Sequence, residues 1–440
     1  MGVLRFKLSS GVPLPCNGQP RKSAINFAAQ RAYAIHHTMT VLTPSAGPAE
    51  PRGLCTDCGV SRMGIAKSCG TACQFIKPDY PAMETAVQGR TRRATGDEVF
   101  FGPFQAMYRA ALTPAREGAQ WTGLTTRLAE KMLEDGSVDG VICMVPDADD
   151  PWKPVPAIIT EAANMTQARG MRMGYAPLLA MLEPAAEMGL KRLVMIGIPC
   201  QVYALRRIEE QLGFEAITVI GTPCSDNTTT ANFHDFLARL SDKPETITYL
   251  EFRADYHVEL RFEDGRSQTI PFLQLPLSDL SPDFFPLTCR TCVDYTNTLA
   301  DITVGYMGGT GEQWVIVRND RGARALEAIR PEVKLSAPAD KGKRTGAVAG
   351  FRDNTARAAG GLPLRKMPNW LRPIVGWLMP RIGPRGIEFA RARLEMKAVE
   401  AVLHLRREEP AKMKNMIPDH VWDLAAPYDV TPQEGERQKP

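Results

Sequence analysis

Between residues 119 and 335 the apolar positions alternate between two spacings. Leu124, Leu128, Met132 and Leu133 recur along one helical face, and Gly136 follows as a stop signal. Residues 138–145 form an apolar run that reads as a buried strand. Residues 175–188 read as a helix, 193–198 as a strand, 202–212 as a helix ended by Gly213, and 217–220 as another strand. This alternation predicts a partly parallel sheet with helices on its faces. Further on, 247–252, 256–262 and 268–272 read as strands, with Asp264-Gly265 as a hairpin turn between the last two. They predict an antiparallel β extension of the α/β core. Residues 314–317 are one more apolar strand.

The flanks carry different patterns. Residues 51–118 hold four cysteines among Gly- and Ser-containing loops with weak periodicity, which predicts a small domain organised by ligands rather than by a large core. Residues 1–50 are set apart from the fold. Residues 1–49 contain five basic residues (Arg5, Lys7, Arg21, Lys22, Arg31) and no acidic one. That composition fits an organelle transit peptide, or an upstream start with Met39 beginning the protein. Residues 119–335 make up the α/β domain, and 336–440 a C-terminal segment. Within the latter, 361–407 is basic and amphipathic: ten Lys/Arg against three Glu gives +7. Its apolar residues include Trp370, Leu371, Ile374, Val375, Trp377, Leu378 and Met379. It suits either reversible contact with an anionic membrane surface or packing on the protein's own core. The last thirty or so residues read as a loose, polar tail.

Composition narrows the class. With 44% hydrophobic and 23% charged residues the chain can build a core, which excludes disorder as its main state. The net charge of +4 is too mild to argue for nucleic acid. No apolar run approaches the roughly 18 residues of a membrane-spanning helix.

Ten cysteines change the picture more. Cys55, Cys58, Cys69 and Cys73 lie in one short segment. Four thiolates at this density can close a tetrahedral zinc site or hold the corners of a 4Fe–4S cluster. Gly59, Gly64 and Gly70 would let the backbone bend around such a core. Cys200 and Cys224 each follow a predicted strand, which puts both on the rim where α/β sheets place ligands. Cys289 and Cys292 form a Cys-x2-Cys that could complete a second set of four. Cys143 sits inside an apolar strand and reads as core. Cys16 falls in the excluded segment.

Other signals are weaker. Gln120-Trp121-Thr122-Gly123 precedes a helix whose first amides could hold a phosphate, or whose N-cap is simply Thr122. The run Gly305-Tyr306-Met307-Gly308-Gly309 could approach a cofactor backbone to backbone, or be a turn. His234, His257 and His404 fit no metal spacing. Asp226 and Asp294, beside cysteines, are either proton donors or anchors of the ligand loops, so no catalytic residue is assigned.

LTCRTCVDYTNTLADITVGYMGG (287–309), GIPCQVYALR (197–206) and GTPCSDN (221–227) together resemble the beta-subunit family of coenzyme F420-reducing hydrogenases and dehydrogenases. The closer resemblance is to one branch: the ferredoxin-dependent divinyl chlorophyllide a 8-vinyl reductases and 7-hydroxymethyl chlorophyll a reductases. AQWTGLTTRLAEKML (119–133), PETITYLEFRADYHVELRFEDG (244–265) and GPRGIEFARARLEMKAV (383–399) are similar to the branch's helix start, hairpin and C-terminal helix. The likeness spans about residues 51–410 and departs from the branch at Gly309-Thr310-Gly311.

The resemblance implies FAD and two 4Fe–4S clusters, one on Cys55, Cys58, Cys69 and Cys73, the other on Cys200, Cys224, Cys289 and Cys292. It assigns FAD contacts to Gln120, Trp121, Thr122, Gly123, Thr125, Thr126, Asn227, Gly305, Tyr306, Met307 and Gly308. It implies reduced ferredoxin as electron donor and divinyl chlorophyllide or protochlorophyllide as the tetrapyrrole whose 8-vinyl group becomes ethyl, with no nucleic acid partner. The alternatives are 7-hydroxymethyl reduction, or an electron-transfer subunit of a hydrogenase or formate dehydrogenase. The expected compartment is the bacterial cytoplasm, or the plastid stroma if residues 1–38 are a transit peptide.

Overall fold

Four apolar runs that leave few polar positions on either side become the parallel centre of a nine-stranded sheet. The computed structural model describes residues 39–41, 55–253, 255–306, 311–358 and 367–437. Its strands are β1 (Met39–Val41), β2 (Ala106–Leu112), β3 (Gly140–Pro146), β4 (Pro154–Ile159), β5 (Arg192–Gly197), β6 (Ala216–Gly221), β7 (Ile247–Phe252), β8 (His257–Phe262), β9 (Ser267–Pro271), β10 (Ile302–Gly305), β11 (Gln313–Val317) and β12 (Val333–Ser336). The large sheet runs β1-β4-β3-β5-β6-β10-β11-β2-β12. β3, β5, β6 and β10 pair in parallel; β4 and β1 on one flank, and β11, β2 and β12 on the other, are antiparallel. The central strands are buried on both faces, as parallel strands covered by helices require. Cys143 lies in β3 and is buried, as expected.

The antiparallel extension is present. β7, β8 and β9 form a three-stranded sheet, and Gly265 takes the positive φ that the turn needs. The helix predicted over 175–188 is shorter: a 3-10 turn at Leu178–Met181 leads into Leu182–Glu187, with Pro177 at the boundary.

Several boundaries differ from the sequence reading. β2 falls within 51–118, yet it lies between β11 and β12 in the main sheet. The cysteine-rich segment shares its core with that sheet as well: Val60, Met63, Ala72, Tyr80 and Met83 cluster with Ile142, Leu193, Met195 and Val219. It is a covering layer rather than a domain held by ligands alone. Residues 39–41, placed outside the fold, pair with β4. Residues 1–38 lie outside the described residues. The chain divides into two units, Met1–Ile35 and His36–Pro440, and the second contains all the described residues.

The C-terminal region departs most. Ile387–Glu408 is one 22-residue helix buried along most of its length. It packs with Val421, Trp422, Tyr428 and Val430, which belong to the tail expected to be loose. Alanines at 390, 392, 398 and 401 allow close approach of neighbours but add little to an apolar stripe. A helix covered on most sides has no polar face to make its period visible.

Candidate functional site

The parallel register places Gly197 at the end of β5 beside Gly221 at the end of β6. Each strand then runs into a cysteine loop. Cys200 stands in the first turn of the helix Pro199–Ile208. Cys224 is anchored by its amide, which donates to the Tyr295 carbonyl at 3.0 Å. Cys289 and Cys292 come from a short helix, Leu287–Arg290, and its exit. All four line one cavity, together with Tyr175, Gln74, Thr56 and Asn227. The dispersed second set therefore converges as predicted from strand ends.

Burial governs these thiols. It pushes Cys200 and Cys224 well above the ordinary thiol range, with the neighbouring sulfurs adding to the shift. Burial also raises Cys289 to about 12, reinforced by Asp226, and Cys292 to about 11, against the pull of Lys397.

In the first set Cys58 lies close to the other three cysteines. Its thiol is raised to about 12 by burial, with smaller contributions from Cys73, Cys69 and Cys55. Cys55 is exposed, so this set reaches the protein surface. Of the three glycines in the segment, only Gly59 is demanded by close approach. At φ 109° an added Cβ would stand 2.6 Å from the Ala180 amide nitrogen, while the Cys58 carbonyl accepts from the Leu179 amide at 2.9 Å. The two sets are adjacent. Gln74, next to Cys73, donates to Cys292 Sγ at 3.7 Å, and the Thr56 hydroxyl to Cys200 Sγ at 3.9 Å. No three His, Cys, Asp or Glu side chains among the described residues converge on a single ion-sized point.

The surrounding polar groups were not evident from the sequence. Lys397, counted there as part of a basic tail, is 2% exposed. Its ammonium donates to Asp226 Oδ1 (2.9 Å), the Cys289 carbonyl (2.7 Å) and Glu400 Oε2 (3.0 Å). Burial alone would lower its pKa, but Asp226 and Glu400 hold it above the ordinary lysine value. Asn297, buried at a positive φ of 59°, donates to the Gly197 and Thr222 carbonyls at 2.8 and 3.3 Å. It ties the two cysteine loops together. Asp294 accepts from the Thr298 amide and hydroxyl, and Asp226 is held by Lys397. Both carboxylates therefore anchor ligand loops.

A second feature lies on the same rim. β10 ends at Gly305, where an added Cβ would meet Pro223 at 2.6 Å, so this glycine makes room for the Cys224 loop. Tyr306 stacks on Trp121, with ring centroids 5.9 Å apart and planes 10° apart. Phe389 meets Tyr306 edge-on at 5.3 Å, and Tyr256 meets Phe389 at 5.6 Å. The Tyr306 carbonyl also accepts from the Tyr295 hydroxyl at 2.9 Å, which links it to the residue holding Cys224. Met307 and Gly308 lie outside the described residues.

The helix Leu124–Glu134 starts one residue later than an N-cap at Thr122 would place it. Gly123, not Thr122, is its N-cap. The Leu124 amide donates to Gln313 Oε1 at 2.9 Å, and so does the Thr122 hydroxyl, also at 2.9 Å. Thr122 is thus committed to the protein, as is Asn227, whose side chain holds Gly174 and whose amide donates to Cys289 Sγ. Trp121, Tyr306 and the first helical turn with Thr125 and Thr126 remain as the surfaces on which a planar, phosphate-bearing cofactor could rest.

Fold and cysteine rim define the class. Models of the coenzyme F420 hydrogenase/dehydrogenase beta subunit match residues 107–183 (N-terminal part) and 190–341 (C-terminal part). The chain is 34% identical over 379 residues to an uncharacterized protein of Nostoc sp., covering 86% of this chain and 94% of that one. It is 33% identical over 401 residues to the chloroplastic 7-hydroxymethyl chlorophyll a reductase of Oryza sativa, covering 88% and 85%. A solved F420-reducing [NiFe] hydrogenase complex of Methanosarcina barkeri matches with a TM-score of 0.48 and 22% identity, over 54% of this chain and 84% of that one. The protein belongs to the coenzyme F420-reducing hydrogenase beta-subunit family, in the branch of the divinyl chlorophyllide a 8-vinyl reductases and 7-hydroxymethyl chlorophyll a reductases.

Proposed function

We propose that the protein reduces a chlorophyll-type tetrapyrrole, converting the 8-vinyl group of divinyl chlorophyllide or protochlorophyllide to ethyl with electrons from reduced ferredoxin. The observation that carries this reading is the adjacency of two four-cysteine sets, one reaching the surface at Cys55 and the other linked through Tyr295 to Tyr306. The sulfurs of Cys200, Cys224, Cys289 and Cys292 line one cavity, an arrangement that suits a multi-atom cluster. Cys55, Cys58, Cys69 and Cys73 would hold one 4Fe–4S cluster, and Cys200, Cys224, Cys289 and Cys292 the other. Trp121, Thr125, Thr126 and Tyr306 would hold FAD. Bound there, these groups would supply the conversion of single electrons into the two that saturating a vinyl group consumes, along with two protons.

The chain's own residues do the rest. Gln74 and Thr56 orient the second set from the first, and Asn297 keeps its strand-end loops together. The Trp121–Tyr306 pair offers flat apolar faces. Tyr306 donates its hydroxyl to the Arg253 carbonyl at 2.8 Å and is therefore fixed in position.

The rice relative's name favours a second reading, reduction of a 7-hydroxymethyl group to methyl with loss of water. Anaerobic assays with reduced ferredoxin should be run on divinyl chlorophyllide and on 7-hydroxymethyl chlorophyll a. The expected result is the product spectrum of the 8-ethyl pigment from the first and no change in the second. Conversion of the hydroxymethyl pigment alone would replace the first reading by the second. Inactivity on both, with copurification of a large catalytic subunit, would favour an electron-transfer role.

A further inference from the structure

We infer that the helix Leu371–Ile382 docks this protein on an anionic bilayer surface. Trp370, Ile374, Trp377, Leu378 and Ile382 share one face at helical spacing, and that face points outward. Trp370 is 72% exposed, Ile374 53%, Trp377 59% and Ile382 59%. The usual surface helix turns its apolar stripe to the core. This one turns in the small Gly376, whose added Cβ would lie 3.6 Å from Pro271, and buries Arg372.

Charge selects the occupant. Between Asp353 and Glu388 the sequence has six Lys/Arg and no Asp or Glu. The Arg381 guanidinium lies 4.1 Å from the Trp377 ring centroid, so a cation and an interfacial aromatic are presented together. Exposed Trp with basic residues and no acid is the signature of a helix lying in the headgroup plane. No helix among the described residues is long and apolar enough to cross a membrane, so the contact is superficial. Its exit leads inward: Pro384 accepts from the Tyr256 hydroxyl, and Tyr256 meets Phe389, which meets Tyr306. A lipophilic ligand leaving the bilayer would find the aromatic cluster directly behind the docking helix.

The test is flotation of the full chain with vesicles of phosphatidylglycerol and phosphatidylcholine, or of phosphatidylcholine alone. At low salt the protein should float with the anionic vesicles and not with the neutral ones. Ile374→Ser/Trp377→Ser, which changes only exposed side chains, should weaken binding by at least about tenfold with an unchanged circular dichroism melt. Brominated lipid should quench tryptophan fluorescence of the unmodified protein, a readout that needs no variant. Failure to float and to be quenched would overturn the inference. So would an oligomer that the double variant splits without any vesicle binding, since the face would then join copies of the chain. Flotation is independent of turnover, so it can fail while the proposed reduction stands, and the reverse.

Discussion

Cys58 belongs to the first cysteine set, close to Cys55, Cys69 and Cys73, so its loss should remove the cluster proposed there. Protein purified anaerobically should carry about eight irons per chain, and Cys58→Ser about four, with bound flavin retained. Iron, acid-labile sulfide and flavin analysis check this; stoichiometric zinc without sulfide would overturn it. Ferredoxin-driven turnover should stop in the variant. At this scale the candidate ligands stood out in the sequence, because four thiols crowded into one short segment of a large chain suit ligation far better than core packing. Lys397 was not readable. A lysine in a basic stretch is normally solvated, and only the long helix that carries it into the core, beside Asp226 and Glu400, reverses that expectation.

Elements are joined here by single polar side chains. Gln313 at the start of β11 satisfies both the Leu124 amide and the Thr122 hydroxyl, both buried. Gln313→Leu strands these donors and should cost about 2–4 kcal/mol, read by urea unfolding, and lower flavin content by disturbing the turn at Trp121. Asp139 ties β3 to β5 by accepting from the Lys191 and Arg192 amides and from the Arg192 guanidinium at 2.6 Å. The Arg192 hydrogen bond holds its carboxyl at about 2, below the unfolded value near 3.9. Its stabilisation is therefore present above about pH 4 and lost as pH falls through about 2. Asp139→Asn should flatten the acid limb of the stability curve and cost less than about 1 kcal/mol at pH 7, because the pair is exposed. The parallel strands β3, β5 and β6 were evident in the sequence since burial on both faces makes them unbroken apolar runs. β4 was missed because Pro154 and Pro156 speak against a strand, and β10 because four residues are too few to show a period.

Across the whole molecule the first cysteine set reaches the surface at Cys55, the second lines a cavity next to it, and Tyr295 links Cys224 to Tyr306. On the proposed reading, electrons would arrive where Cys55 is exposed. Lys67 and Lys77 are exposed on the same segment, while Asp57 there is engaged by Arg62. A donor that is generally acidic, as ferredoxins are, would be steered to this face by charges that weaken beyond about 8 Å at physiological salt. Such pairing acts on encounter far more than on chemistry. Raising salt from about 50 to 300 mM should therefore increase the KM for reduced ferredoxin several-fold and leave kcat nearly unchanged. Lys67→Gln/Lys77→Gln should raise KM at low salt and flatten the salt dependence, while reduction of the flavin by dithionite stays as fast as in the unmodified protein. A KM that does not respond to salt would place the entry point elsewhere, and a double variant with unaltered salt dependence would exclude this segment as the docking face.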